Sequence, residues 1–282
     1  MHRFLSLIAV FLLTATGLHG QKVVGPGQDD ALVKRALAAE VRAAQDLQHP
    51  MRYHLRKSTP RLTSTKIIFE TKDGAVARLI AINDKPLSAE DERKEQDRLN
   101  QLLSDPSRQW HRKQSEDEDT RRVTKVLRAL PEAFDYRFVE TLDGPTGKVD
   151  KFTFSPNPHY SPPDLETQVL KGMAGEIWID KTQERVTRLE GRLQQDVDIG
   201  WGILGRLSQG GWILIEQSDV GDHQWRTVHF KLMMSGRVLF RTKIFDTVQD
   251  ESQFAPLSVG LSYQEAVRMM RADSQNSTQA SQ

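Results

Sequence analysis

From about residue 134 onward the chain reads as a long succession of β-strands joined by short turns, and this limits its folds more than any other feature. Alternating stretches occupy residues 134–141, 149–155, 175–180, 185–198, 211–219, 224–234 and 237–248. The connections at 181–184, 220–223 and 235–236 are too short for a crossover helix, since parallel neighbours need roughly a dozen residues between them. The strands must therefore run up and down as an antiparallel meander. Alternation also assigns faces. Val228, Phe230, Leu232 and Met234 share one side with Arg226, while Trp225, Thr227, His229 and Lys231 share the other. In the same way Leu189 and Leu193 oppose Arg188, Glu190, Arg192 and Gln194. One face is apolar and one is wet.

The first half supplies helices to cover the apolar face. After a Gly/Pro linker, Asp30 is placed to cap a helix through Leu32, Ala36, Ala39 and Val41 that ends before Pro50. Residues 62–71 and 75–83 flank Lys72-Asp73-Gly74, a turn signal that predicts a hairpin. Ser88-x-x-Asp91 resembles a capping box and opens a charge-dense helical region over 88–130, split by Asp105-Pro106. In its second part Val123, Val126, Leu127 and Leu130 form one packing stripe, which leaves Arg121, Arg122, Lys125 and Arg128 in water. The balanced charge of this region fits a solvated face; its alternative use is a docking surface for a partner. The run Glu116 to Asp119 lacks the spacing of a calcium loop and reads as the start of a helix. Past a proline-rich loop at 156–163, Asp164 is expected to cap a short helix through Leu165, Val169, Leu170 and Met173. The expected fold class is α+β, a curved, incomplete antiparallel half-barrel wrapped around a few helices.

Residues 1–20 read as a signal peptide, with a basic start, an apolar run over residues 4–13 and small residues after it. The apolar run is about half the length needed to span a bilayer, and no later stretch reaches it, so a chain without its leader is not expected to span a membrane. A single domain is expected over 21–271, carrying the charged helical insertion at 88–130, and residues 272–282 are polar enough to read as a disordered tail. Periplasmic or secreted bacterial localisation follows from the leader. The chain has 39 Lys and Arg against 38 Asp and Glu, which argues against a nucleic-acid footprint. It has no cysteine, so thiolate chemistry, disulfides and cysteine-ligated metals are excluded.

The segment Gly175-Glu-Ile-Trp-Ile-Asp-Lys-Thr-Gln-Glu-Arg-Val-Thr-Arg-Leu-Glu190 resembles the central hairpin of bacterial periplasmic lipoprotein carriers, the LolA/LolB-like superfamily and its outer membrane lipoprotein-sorting relatives. In those proteins a glycine-led strand ending in aspartate turns into a Val-x-Arg strand. The resemblance extends loosely over residues 53–248. It implies an incomplete antiparallel barrel closed by helices, whose apolar cavity holds the acyl chains of a lipid or lipoprotein. The helical region 88–130 departs from that pattern, and no segment matches the family's cavity-closing arginine.

No arrangement of residues points to catalysis. Gly200-Trp-Gly-Ile-Leu-Gly205 is a literal G-x-G-x-x-G, but no long helix follows it, so no cofactor is expected. It reads instead as an apolar loop that plugs one end of the half-barrel with Ile199, Trp201, Ile203, Leu204 and Leu207, or as a mobile lid carrying Trp201. The histidines have no metal-ligand spacing, and nucleophile-elbow, S-x-x-K and Walker patterns are absent. Candidate ligand-binding residues are Trp178, Trp201, Leu204, Trp212, Phe230, Leu232 and Met234, because soft and aromatic side chains suit variable acyl chains. Taken singly, each of them reads first as plain core. The expected function is an exported, non-enzymatic binding or carrier protein for an apolar ligand. The alternative is an envelope interaction protein whose cavity is self-filled and whose partner is another envelope protein docked on the helices of 88–130. An empty or an occupied inner face separates the two.

Overall fold

In the computed structural model, residues 28–200, 205–238 and 241–279 are described. They form an α+β fold with four helices and thirteen strands, every pairing antiparallel, in a curved open sheet that does not close into a barrel. The described residues fall into two compact units: 28–45 with 119–247, and 46–118 with 248–279.

In the first unit the hydrogen-bonded order is β12-β11-β8-β7-β6-β5. These strands are β5 (Phe134–Gly144), β6 (Gly147–Pro156), β7 (Met173–Asp180), β8 (Arg185–Leu193), β11 (Trp212–Asp219) and β12 (Trp225–Val238). Helix α1 (Gln28–Ala44) packs against β5, β7 and β8. It begins two residues before Asp30, which therefore lies in its first turn rather than at its cap. Its buried stripe is Val33, Ala36, Leu37, Glu40 and Ala44, with Ala39 and Val41 only half-buried. One apolar cluster joins that stripe to Ile177 and Ile179 of β7, Val186 and Leu193 of β8, and Phe230, Leu232 and Met234 of β12.

Four local expectations are corrected here. The helix expected from Asp164 is only the 3-10 turn Gln168–Gly172, because Met173 already pairs with Leu193 as the first residue of β7. The strand expected over 185–198 breaks after Leu193 and resumes as β9 (Val197–Ile199), which pairs with β10 (Gly205–Leu207). The G-x-G-x-x-G run is thus bracketed by two short antiparallel strands. Ser235-Gly236 is not a turn: β12 continues through it and pairs Gly236 with Leu207. Glycine is required there, since a Cβ would stand 2.6 Å from the Arg206 carbonyl oxygen.

The fourth correction concerns faces. A β-bulge in β12 leaves Val228 without an opposite residue, so Thr227 faces Gln217 while His229 faces Glu216. Trp225 and Thr227 consequently share the inner side with Phe230, Leu232 and Met234, and both are buried. The faces of β8 are as expected, with Leu189 and Leu193 packed in the cluster and Arg188, Glu190 and Arg192 outward.

In the second unit β4 (Lys85–Pro86), β3 (Val76–Ile82), β2 (Thr63–Phe69) and β1 (Met51–Ser58) lie in that order, and β1 pairs with residues 248–256 of β13 (Arg241–Pro256). The β2–β3 hairpin turns at Lys72-Asp73-Gly74 as the sequence predicts, with Gly74 at φ +93°. The Gln109 amide donates to the carbonyls of Asp73 and Gly74, and Glu116 accepts from the Ala75 amide at 2.8 Å. Helix α2 (Ala89–Ser104) starts at the expected cap, where the Ser88 hydroxyl accepts from the Asp91 amide at 3.1 Å. Asp105 ends it and Pro106 opens α3 (Pro106–Ala133), a position where its missing N–H costs nothing. Because α3 is continuous, residues 116–119 lie in mid-helix rather than at a helix start. Helix α4 (Tyr263–Gln279) includes residues 272–279 of the segment expected as a tail. Its Ala266, Val267 and Met270 pack with Phe69, Val76 and the α2 residues Leu99 and Leu102.

Candidate functional site

The inner face of the first unit's sheet gathers three of the seven sequence-predicted residues. Phe230, Leu232 and Met234 are all buried in the central cluster. Val169 and Leu170 of the 3-10 turn and Val197 of β9 belong to the same cluster, and Ile199 and Leu207 pack against it. Trp201 and Leu204 lie outside the described residues, so the lid expected around Trp201 does too.

Trp178 and Trp212 stand elsewhere, on the wet face. Trp178 sits between the inward Ile177 and Ile179, and strand alternation turns it outward. The Lys151 ammonium and the Arg188 guanidinium each lie 5.5 Å from its ring centre. Trp212 lies under Arg192 at 5.2 Å and Lys231 at 4.9 Å, and its indole N–H donates to Glu190 at 2.8 Å. Arg188 bridges Glu190 and Glu216. Burial works against the Glu190 charge, yet hydrogen bonds from Arg188 and Trp212 hold its carboxyl below the usual carboxylate range. This face is a ladder of stacked cation–π and ionic contacts rather than an apolar surface.

The cover of the inner face contains one group that sequence reasoning missed. Glu40, 3% exposed, sits in the apolar stripe of α1 and accepts four hydrogen bonds. Arg185 supplies two, Nε at 2.8 Å and a terminal nitrogen at 3.1 Å. The Val186 amide gives a third at 3.1 Å and the Gln217 side chain a fourth at 3.0 Å. Arg185 in turn lies 5.9 Å over the Trp225 ring, whose N–H donates to Gln183. An isolated buried carboxylate would be strongly unfavourable, and these partners offset the cost of burying it. At the surface, Arg35 adds an ion pair to Glu184 at 2.8 Å. The legible signal was a carboxylate at i+3 from Leu37 on a stripe of Val33, Ala36, Leu37 and Ala44.

Among the described residues, no group of three histidine or carboxylate side chains is arranged to hold a metal ion, and no helix is long and apolar enough to cross a membrane.

No family model matches the chain, and no curated protein matches it. Three solved structures resemble it in fold. One is a domain provisionally described as an outer membrane lipoprotein-sorting protein, from Vibrio parahaemolyticus, with TM-score 0.32 and 10% identity over 82% of this chain and 95% of that one. A DUF1329 family protein from Desulfovibrio piger aligns with TM-score 0.28 and 11% identity, over 83% of this chain and 96% of its own. MucB, solved in complex with MucA(peri), aligns with TM-score 0.22 and 11% identity over 82% of this chain and 100% of that one. At these TM-scores the likeness says nothing of what this chain binds.

Proposed function

We propose that this chain is an exported, non-enzymatic binding or carrier protein of the bacterial envelope, and that an apolar ligand, a lipid or the acyl chains of a lipoprotein, occupies the inner face of the sheet in place of α1. The observation that carries this reading is the nature of the cover. Helix α1 lays mostly small side chains on a wide apolar face and is held there by a buried polar cluster, Glu40 with Arg185, Val186 and Gln217.

The magnitudes are compatible with exchange. Val33 and Leu37 are the large apolar side chains that α1 buries completely, worth about 1.5–3 kcal/mol each. A chain of about 12 methylenes burying itself on the same face offers about 10 kcal/mol before the costs of association. The gross ligand term exceeds these two side-chain terms, so exchange turns on the Glu40 cluster and the cost of association. Phe230, Leu232 and Met234 would then meet the ligand, and Trp201 and Leu204 remain proposed as ligand-binding residues.

A second reading is favoured by the occupied interior itself: Val33, Ala36 and Leu37 already fill the face, which fits an interaction protein that presents the charged helices of 88–130 to an envelope partner. Titration with a fluorescent fatty-acid probe separates the two. Saturable binding at one site per chain, competed by unlabelled fatty acid, supports the carrier. An unchanged probe signal up to its solubility limit supports the self-filled protein.

A further inference from the structure

A second cleft, of about 760 Å³, lies in the first unit between α3 and the loop 157–167 that follows β6. Along α3 the residues facing it include Arg121, Thr124, Lys125, Arg128 and Glu132, each three or four positions from another of the set, so they share one face of the helix opposite the stripe that packs with the sheet. Three cations share the cleft wall with Glu132, but Lys125 is neutralised by two further carboxylates, which leaves Arg128 as the cation available to a ligand. Lys125 is paired with Asp164 at 3.3 Å and Glu166 at 3.4 Å. Arg128 has no carboxylate partner among the described residues.

The polar groups in the wall point the same way. Thr124 is 4% exposed, lines the cleft, and its hydroxyl has no hydrogen-bond partner. A buried hydroxyl without a partner is unfavourable, and a ligand oxygen at this position would satisfy it. Across the cleft stand His159 and the Tyr160 phenol, whose ordinary pKa near 10 already keeps it a protonated donor at neutral pH and which burial pushes further up. The Arg128 guanidinium and the unpartnered Thr124 hydroxyl are therefore the donors left for a ligand, and the volume is much larger than a bare ion needs. A carboxylate offers two oxygens to this array, whereas a phosphate ester offers three or four, and the guanidinium fork of Arg128 matches two of them.

We infer that this cleft binds a phosphate ester, with Arg128 and Thr124 holding the phosphoryl oxygens and the remaining space taking the organic part. The site is separate from the sheet face and does not depend on the carrier reading. The source of the ester is either a phospholipid headgroup or a soluble metabolite-sized phosphate.

The test uses calorimetric titration of the full-length mature protein with glycerol 3-phosphate, inorganic phosphate and acetate, beside flotation with vesicles of phosphatidylglycerol in phosphatidylcholine. Saturable binding of glycerol 3-phosphate, tighter than acetate, is expected if the ester is soluble. Binding confined to the phosphatidylglycerol vesicles assigns a headgroup. In either arm Arg128→Gln is expected to weaken binding about tenfold or more through loss of a charge-assisted contact. Thr124→Val, which removes the unpartnered hydroxyl at nearly constant shape, is expected to weaken binding while leaving the thermal midpoint unchanged or raised. The inference is overturned if neither ester source binds, if acetate binds as tightly as the phosphates, or if both variants bind like the unsubstituted protein.

Discussion

Glu40→Gln is the most informative single substitution, because it alters charge at the buried polar contact between α1 and the sheet with almost no change in volume. The glutamine leaves the Arg185 guanidinium, largely buried with its side chain 13% exposed, facing a neutral amide. Removing one partner of a buried pair costs about 3–5 kcal/mol, because the surviving charge remains desolvated. For a protein of this size about 1 kcal/mol corresponds to roughly 2–4 °C, so the thermal midpoint should fall by about 6–20 °C. Circular dichroism on heating measures that fall. The carrier account adds an opposite effect on ligand: since α1 must leave the face for the ligand to enter, a looser helix should raise affinity for a fatty-acid probe. A lower midpoint with tighter probe binding is the expected pair of results. A midpoint unchanged within a degree would refute the latch, and a lower midpoint with weaker probe binding would refute the exchange of α1 for ligand.

Two further substitutions probe features the sequence hid or half-showed. Gly236→Ala places a Cβ 2.6 Å from the Arg206 carbonyl oxygen, and the backbone shift it forces should cost about 1–3 kcal/mol, read as a lower midpoint in chemical denaturation. Glu190→Gln should cost about 1 kcal/mol at neutral pH by weakening the contacts to Arg188 and Trp212. Because the folded-state pKa of Glu190 is depressed below its ordinary 4.5, the advantage of the natural residue is fully present above that value and is lost as pH falls through the lower folded-state value. Denaturation curves for both proteins should therefore converge in strong acid, and a gap that widens there would contradict the assignment.

Much of the architecture was legible because the strands alternate and their turns are short. The 62–71 and 75–83 hairpin, the Ser88 cap, the break at Asp105-Pro106 and the antiparallel order from β5 to β12 all follow from local chemistry. What stayed hidden depends on pairing partners distant in sequence. The bulge at Val228 reverses the inward side of β12, and nothing in residues 225–234 marks it, so Trp225 and Thr227 read as wet when they are buried. Gly236 resembles a turn residue, but its need for glycine comes from Arg206, thirty residues earlier in the chain. Trp178 and Trp212 illustrate the reverse: alternation alone places them opposite Ile177, Ile179 and Ile213, on the charged face, and their size drew them into the candidate pocket. Glu40 was legible as an anomaly in an apolar stripe, though its partners on β8 and β11 were not. The α3 cleft depends on the loop 157–167 folding back to face the cationic stripe, a meeting that no spacing within α3 reveals.

The carrier account meets its most direct test in native mass spectrometry of the protein purified from a bacterial periplasm, followed by organic extraction. The account predicts a species carrying one lipid or acylated ligand per chain, either as purified or after incubation with lipids, and a mature N-terminus near residue 18 or 21. A single unliganded mass before and after incubation would contradict it and leave α1 as the permanent occupant of the sheet's inner face.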